Sequence, residues 1–185
     1  MASLPNTKTV TYEEWLRMPE VTDAIEEVVN GEIRIMPSPN LRHAKVVQRT
    51  YNLIRPQVGM REVEIFTTHF DLITRRQPLT ARIPDLAVFW TDTMVEQDGR
   101  VHSAPQLIVE VLSPANTRRE REEKLADYAR LGVPEVWVVA SQERTVEVLY
   151  LEDGQFRRHA LLTEGVLTPK HFPGVHVPIS EIWPD

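Results

Sequence analysis

Two acidic residues stand in apolar segments of this chain, where a charge is costly. Glu110 lies within LIVEVL (107–112), whose other five residues leave no polar side, as expected of a strand buried on both faces. Asp85 opens a second apolar run, DLAVFW (85–90), directly after Pro84. Burying an unpaired carboxylate costs several kcal/mol, so each acid needs a proton or a positive partner. If the two strands are neighbours, both carboxylates project to one side and can share a divalent cation. Mg2+ takes oxygen ligands, typically one or two carboxylates, and leaves its other positions to water and phosphate. So held, Mg2+ (or Mn2+) acidifies water and neutralises charge on a reacting phosphate.

A third group belongs with them. In TRREREEKLADYARLG (117–132), positions 121, 124, 125, 128 and 131 form one helical stripe of Arg, Lys, Leu, Tyr and Leu. Lys124 therefore lies at the edge of an inward face. This helix follows the Glu110 strand directly, so the lysine can reach back over the strand's end and orient water or balance developing charge. Plainer readings exist for each residue. Lys124 could pair with Glu120 on a surface helix, Asp85 could be a strand-start residue after proline, and Glu110 is the hardest to explain as structure alone.

The elements that must carry these residues follow from local signals. Residues 11–18 read as a short helix with Thr11 as N-cap and Glu14 as its capping-box partner, and EEVVNGEIRIM (26–36) as a hairpin turning at Asn30-Gly31. Residues 38–58 carry helical periodicity, with Leu41, Ala44, Val47, Tyr51 and Ile54 on one stripe and Pro56 ending or kinking the helix. Strand signals cover 62–74 (one long or two short strands), 81–90 and 106–113, with a polar loop at Asp98-Gly99. The 117–132 helix is capped by Thr117 with Glu120 and closed by Gly132. Residues 135–140, 145–151 and 155–162 complete the sheet, and the tail ends in a short turn. Helices interspersed with strands predict an α/β core.

The 185 residues are 42% apolar and 26% charged, which suits one globular domain. Apolar runs fall far short of the roughly 20 residues of a membrane span. The absence of cysteine excludes disulfides and suits a reducing cytoplasm, and the first residues carry no apolar leader core. A net charge of −6 argues against coating nucleic acid through bulk positive charge. It leaves room for local basic grooves, and arginines cluster at 75–76, 118–121 and 157–158, each cluster more simply read as a solvated face.

RIPDLAVFW (82–90) together with residues 105–137, where E-V-L-S-P, the lysine, Tyr128, Gly132-Val133 and Glu135-x-Trp137 recur in register, resembles the Uma2 family within the PD-(D/E)XK nuclease superfamily. EEVVNGEIRIMPSPNLRH (26–43) and HFPGVHVPISEIW (171–183) resemble its N-terminal hairpin and closing segment. The resemblance implies a restriction-endonuclease-like core over residues 1–185, a mixed central β-sheet flanked by helices with an N-terminal β-hairpin. It implies a metal-dependent endonuclease acting on DNA, with Asp85 as metal-binding acid, Glu110 as second acid and the Val111 backbone carbonyl as a further ligand. The chain departs from the superfamily pattern at Leu112, where E-x-K would set the lysine, and Lys124 is implied as its migrated equivalent. Glu120 stands where relatives carry Asp, which puts a chemical part for it in doubt beside its capping role. Glu27 and His43 match upstream positions that touch or line the site; otherwise they read as a cross-strand hairpin residue and a first-turn helix residue. Two open alternatives are a hydrolase of another phosphate ester and a non-catalytic DNA-binding or interaction module. Dimerisation is likewise open.

Overall fold

A computed structural model of the chain describes residues 9–19, 24–67, 70–113 and 117–184. Residues 68–69 of the expected 62–74 strand region and Pro114 of the E-V-L-S-P motif, with 115–116 after it, lie outside the described residues, as do 1–8. Helix α1 (Tyr12–Leu16) precedes β1 (Ile25–Val29) and β2 (Glu32–Met36), and helix α2 (Leu41–Ile54) runs into a 3-10 turn, Arg55–Gln57. Then come β3 (Val63–Thr67), β4 (Leu72–Arg76), β5 (Leu79–Arg82), β6 (Leu86–Trp90), β7 (Glu96–Gln97), β8 (Arg100–Val101) and β9 (Leu107–Val111). Helix α3 (Arg118–Leu131) leads to β10 (Glu135–Ala140), β11 (Thr145–Glu152) and β12 (Gln155–Leu162). The pair β13 (Val166–Leu167) and β14 (Val177–Pro178) and helix α4 (Ile179–Ile182) follow.

The central sheet is mixed, in the order β12-β11-β10-β9-β6-β3, with β9 parallel to β10 and antiparallel to β6. Helix α3 is the crossover that lets two strands run parallel. One face of the sheet packs Leu107, Val109 and Val111 against Val46, Val47 and Ile54 of α2 and Ile179 and Ile182 of α4. The other face packs Ile108 with Tyr128 of α3, Phe89 and Leu72. Because side chains alternate along a strand, Glu110 shares the face of Ile108 and looks at α3.

A second sheet, β2-β1-β5-β4-β8-β7, takes up the N-terminal hairpin. Asn30 and Gly31 sit at φ 55° and 83°, the positive values that a two-residue hairpin turn requires. Two expectations need correction. The 81–90 stretch is not one strand: β5 belongs to the hairpin sheet and β6 to the central one, and the chain breaks at Ile83-Pro84-Asp85. Pro84 has no N–H to donate to a ladder, and Ile83 directs its own N–H to Glu27 Oε1 at 3.1 Å. The stripe of α2 is also rotated. Leu41 is 71% exposed, and His43, Val46, Val47, Thr50 and Ile54 are the residues that turn inward. Polar groups take inward places here: Thr50 donates its hydroxyl to the Val46 carbonyl, and His43 is held by an acid described below.

Candidate active site

The register Leu86↔Val109 sets the start of β6 beside the end of β9, so Asp85 arrives next to Glu110 and Val111. Asp85 Oδ2 accepts the Val111 N–H at 2.7 Å. Its other oxygen lies 3.0 Å from His43 Nε2. His43 is in the first turn of α2, its N–H donated to the capping Asn40 side chain, so a helix start aims the imidazole at Asp85. Burial lowers the His43 pKa, but Asp85 outweighs it and holds the ring above the ordinary histidine value. Its Nδ1 is buried and has no hydrogen-bond partner among the described residues.

Glu110 is met from α3. Lys124 Nζ donates to Glu110 Oε2 at 2.9 Å, and the Tyr128 hydroxyl donates to Oε1 at 2.5 Å. These donors are four residues apart, hence one above the other on the helix. Burial pushes the Glu110 carboxyl up, against the pull of Lys124 and with the Asp85 charge adding to the rise, to about 7. Lys124 also donates to the Ile83 carbonyl at 3.0 Å and lies 3.3 Å from Glu27 Oε1. Burial alone would lower its pKa. Glu110, Glu27 and Asp85 reverse that and hold it above the usual lysine range, so the side chain is a cation at neutral pH. Burial, and next the Glu110 charge, drive Tyr128 well above 10, so it remains a donor.

Behind the lysine lies a buried ion network centred on Arg82. Arg82 donates to Glu27 Oε2 at 2.8 Å and, through Nε and Nη2, to Asp127 Oδ2 at 2.9 and 2.7 Å. Burial raises Glu27, but Lys124 and Arg82 overcome it and hold the carboxyl below the ordinary value. Charges thus alternate from Asp127 through Arg82, Glu27 and Lys124 to Glu110. The signal for Arg82 was available: it is a charge in the apolar strand context L-T-A-R-I-P, the same anomaly that marks Glu110.

Asp85, Glu110, Val111, Lys124, Glu27 and His43 are therefore brought together. Glu120 is not drawn into their contacts. Its carboxylate accepts from the Thr117 N–H at 2.8 Å and hydroxyl at 2.9 Å, and these bonds hold its pKa low. It stands on the rim of a cavity of about 70 Å3, lined also by Glu27, Arg34, Glu110, Arg121 and Lys124. That space admits several waters.

Two carboxylates of hard oxygen suit a divalent cation such as Mg2+. Each of the four oxygens carries one partner and keeps a second lone pair, and the Asp85 charge still raises Glu110 with Lys124 in place, a repulsion that a shared cation would relieve. Among the described residues no group of three His, Asp or Glu side chains is already gathered as a metal cluster, so remaining positions would fall to backbone oxygen, water or substrate.

The sequence profile of the Uma2 family, described as "Putative restriction endonuclease", matches residues 12–180. The chain belongs to the Uma2 family. A crystal structure described as a "putative nuclease belonging to DUF820" from Anabaena variabilis superposes with a TM-score of 0.77 at 20% identity, covering 94% of this chain and 97% of that one. No curated protein matches the chain. The fold is thus the restriction-endonuclease-like one expected, and family membership supports a nuclease acting on nucleic acid. Among the described residues no helix is long and apolar enough to cross a membrane.

Proposed function

We propose that this Uma2 member is a divalent-metal-dependent endodeoxyribonuclease. The observation that carries the reading is the meeting of Asp85, just before β6, and Glu110, on the adjoining β9, with a Lys124 ammonium 2.9 Å from Glu110. Asp85, Glu110 and the Val111 carbonyl would hold Mg2+ or Mn2+. Bound there, the cation supplies Lewis acidity toward water and the phosphodiester.

The chain's own groups do the rest. Lys124 is a charge and a donor rather than a base, because three carboxylates keep it protonated. Its place at the cavity wall lets it balance negative charge on a phosphate oxygen or fix the approach of water. Glu27 and the Ile83 carbonyl stop the ammonium from swinging away. Tyr128 fixes the rotation of Glu110, and His43 and the Val111 N–H fix that of Asp85. With one such site among the described residues, cutting both strands is a task suited to two copies, so a homodimer belongs to the reading for duplex DNA. A reducing cytoplasm suits a chain without cysteine.

The test is incubation of plasmid and single-stranded DNA with Mg2+, with Mn2+ and with chelator, comparing wild type with Asp85→Asn and Lys124→Met. We expect metal-dependent cutting by the wild type alone. Cutting that survives chelation, or equal cutting by all three proteins, overturns the mechanism; binding without cutting identifies a non-catalytic module.

A further inference from the structure

Two arginines, Arg34 and Arg121, line the cavity. Arg34 comes from β2, directly opposite Glu27 in the hairpin register, and Arg121 comes from α3, three residues before Lys124. Each is held by one carboxylate. Arg34 Nη1 meets Glu123 Oε2 at 3.1 Å, and Arg121 Nη2 meets Glu147 Oε2. Each of those carboxylates has a second arginine on its other oxygen: Arg119 lies 2.9 Å from Glu123 Oε1, and Arg158 lies 3.7 Å from Glu147 Oε1. The site is thus flanked by two Arg–Glu–Arg sets of the same design. In both, the inner arginine side chain is about one-third exposed (37% for Arg34, 32% for Arg121) and the outer one far more (87% for Arg119, 59% for Arg158).

We infer that Arg34 and Arg121 are the phosphate-gripping residues of the substrate strand. Each trades its carboxylate for a backbone phosphate beside the bond to be cut. The inference rests on the nuclease reading and adds the strand-binding subsites to it. Three features carry it. A guanidinium offers five donors in a fork suited to phosphate, and each inner arginine has one ion-pair contact here. The trade does not orphan an acid, since the outer arginine stays on it. And with a net charge of −6 the molecule has no bulk attraction for a polyanion, so affinity must come from basic groups placed at the site. Glu123 and Glu147 keep the inner arginines aimed inward and give unspecific anions a competitor.

The experiment uses a fluorescein-labelled DNA duplex and its single strand, with Ca2+ in place of Mg2+ to suppress cutting, and follows anisotropy over a salt series. Arg34→Gln and Arg121→Gln are compared with Arg119→Gln and Arg158→Gln, which change net charge equally and touch the same two carboxylates from outside. We expect the slope of log K against log salt to shrink by about 0.9 on duplex, or about 0.7 on single strand, for each inner substitution. The outer pair should leave it within error of wild type. In Mg2+ turnover, the inner substitutions should raise KM with kcat retained. Thermal melts verify that each variant is folded. If inner and outer substitutions change the slope equally, the inference falls while the nuclease stands. If the wild type neither binds nor cuts DNA, the nuclease reading falls and takes the inference with it.

Discussion

Replacing Arg82 by methionine keeps most of the side-chain volume and deletes one charge that is 4% exposed. Two carboxylates then lose their partner, Glu27 at 2% exposure and Asp127 at 7%. Breaking a buried ion pair from one side costs about 3–5 kcal/mol. Each acid here keeps a second cation, which argues for the lower end. Lys124 is 3.3 Å from Glu27, although it is already shared with Glu110. Arg130 is 2.7 Å from Asp127, but half in solvent, where an ion pair contributes little. A loss near 3 kcal/mol, at roughly 2–4 °C of Tm per kcal/mol for a chain of this size, lowers Tm by about 6–12 °C. The penalty should also depend on pH. In the wild type the Glu27 pKa is depressed despite burial, because Lys124 and Arg82 outweigh it. Such a group contributes stability above its unfolded value that is lost as pH falls through the folded one. Without Arg82 the folded value rises and that contribution shrinks, so the gap between the proteins is widest near neutrality and narrows toward pH 4. Calorimetry of both proteins from pH 4 to 8 measures it. A Tm loss under about 2 °C, or a gap that does not change with pH, would refute the assignment of Arg82 as the central charge of a buried network.

The Glu110 carboxyl, raised to about 7 chiefly by burial, must lose its proton before it can ligate a cation. Mn2+ affinity measured by titration calorimetry should therefore be flat above pH 8 and fall by about tenfold per pH unit below 7; a profile flat from 5.5 to 8 would remove Glu110 from the ligand set. Glu120→Ala breaks the capping box of α3 and should lower Tm by about 2–4 °C, the effect of roughly 1 kcal/mol, with kcat retained. A lost kcat at unchanged Tm would give Glu120 a chemical part after all.

Much of this architecture is written in short-range signals. The capping boxes Thr11-x-x-Glu14 and Thr117-x-x-Glu120, the Asn30-Gly31 turn and the left-handed Gly132 after α3 all stand where the residues predict them. Each works within a few residues, so no knowledge of distant contacts is needed. The acid pair was legible for a related reason: a carboxylate in an apolar strand announces that something must compensate it. What stayed hidden depends on distance. The hairpin joins β5, β4, β8 and β7 in a second sheet through pairings no local pattern encodes. The α2 stripe was misjudged because apolarity alone ranked Leu41 above His43, whereas Asp85, 42 positions onward, offers the imidazole a buried partner. Arg82 stands out locally as a charge in an apolar strand, but its partner Asp127 reads as an ordinary surface charge until the two are seen together.

A lysine carried on a helix rather than on the strand of its acid changes what must be rigid. A lysine two residues after Glu110 would be held by the ladder that holds Glu110. Lys124 depends instead on how α3 docks, and a small roll of the helix would carry the ammonium off its acid. One turn of α3 supplies the remedy. Lys124 and Tyr128 take the two oxygens of Glu110, and Asp127 takes Arg82, which returns through Glu27 to Lys124. The helix is pinned to both sheets by the same residues that would do the chemistry, and Ile83 closes the circuit with its N–H on Glu27 and its carbonyl on Lys124. The break in the strand at Ile83-Pro84 is what frees those two backbone groups from a ladder. The buried charges around Arg82 give a helix-borne lysine a fixed angle of approach, which an apolar replacement of equal volume would not supply.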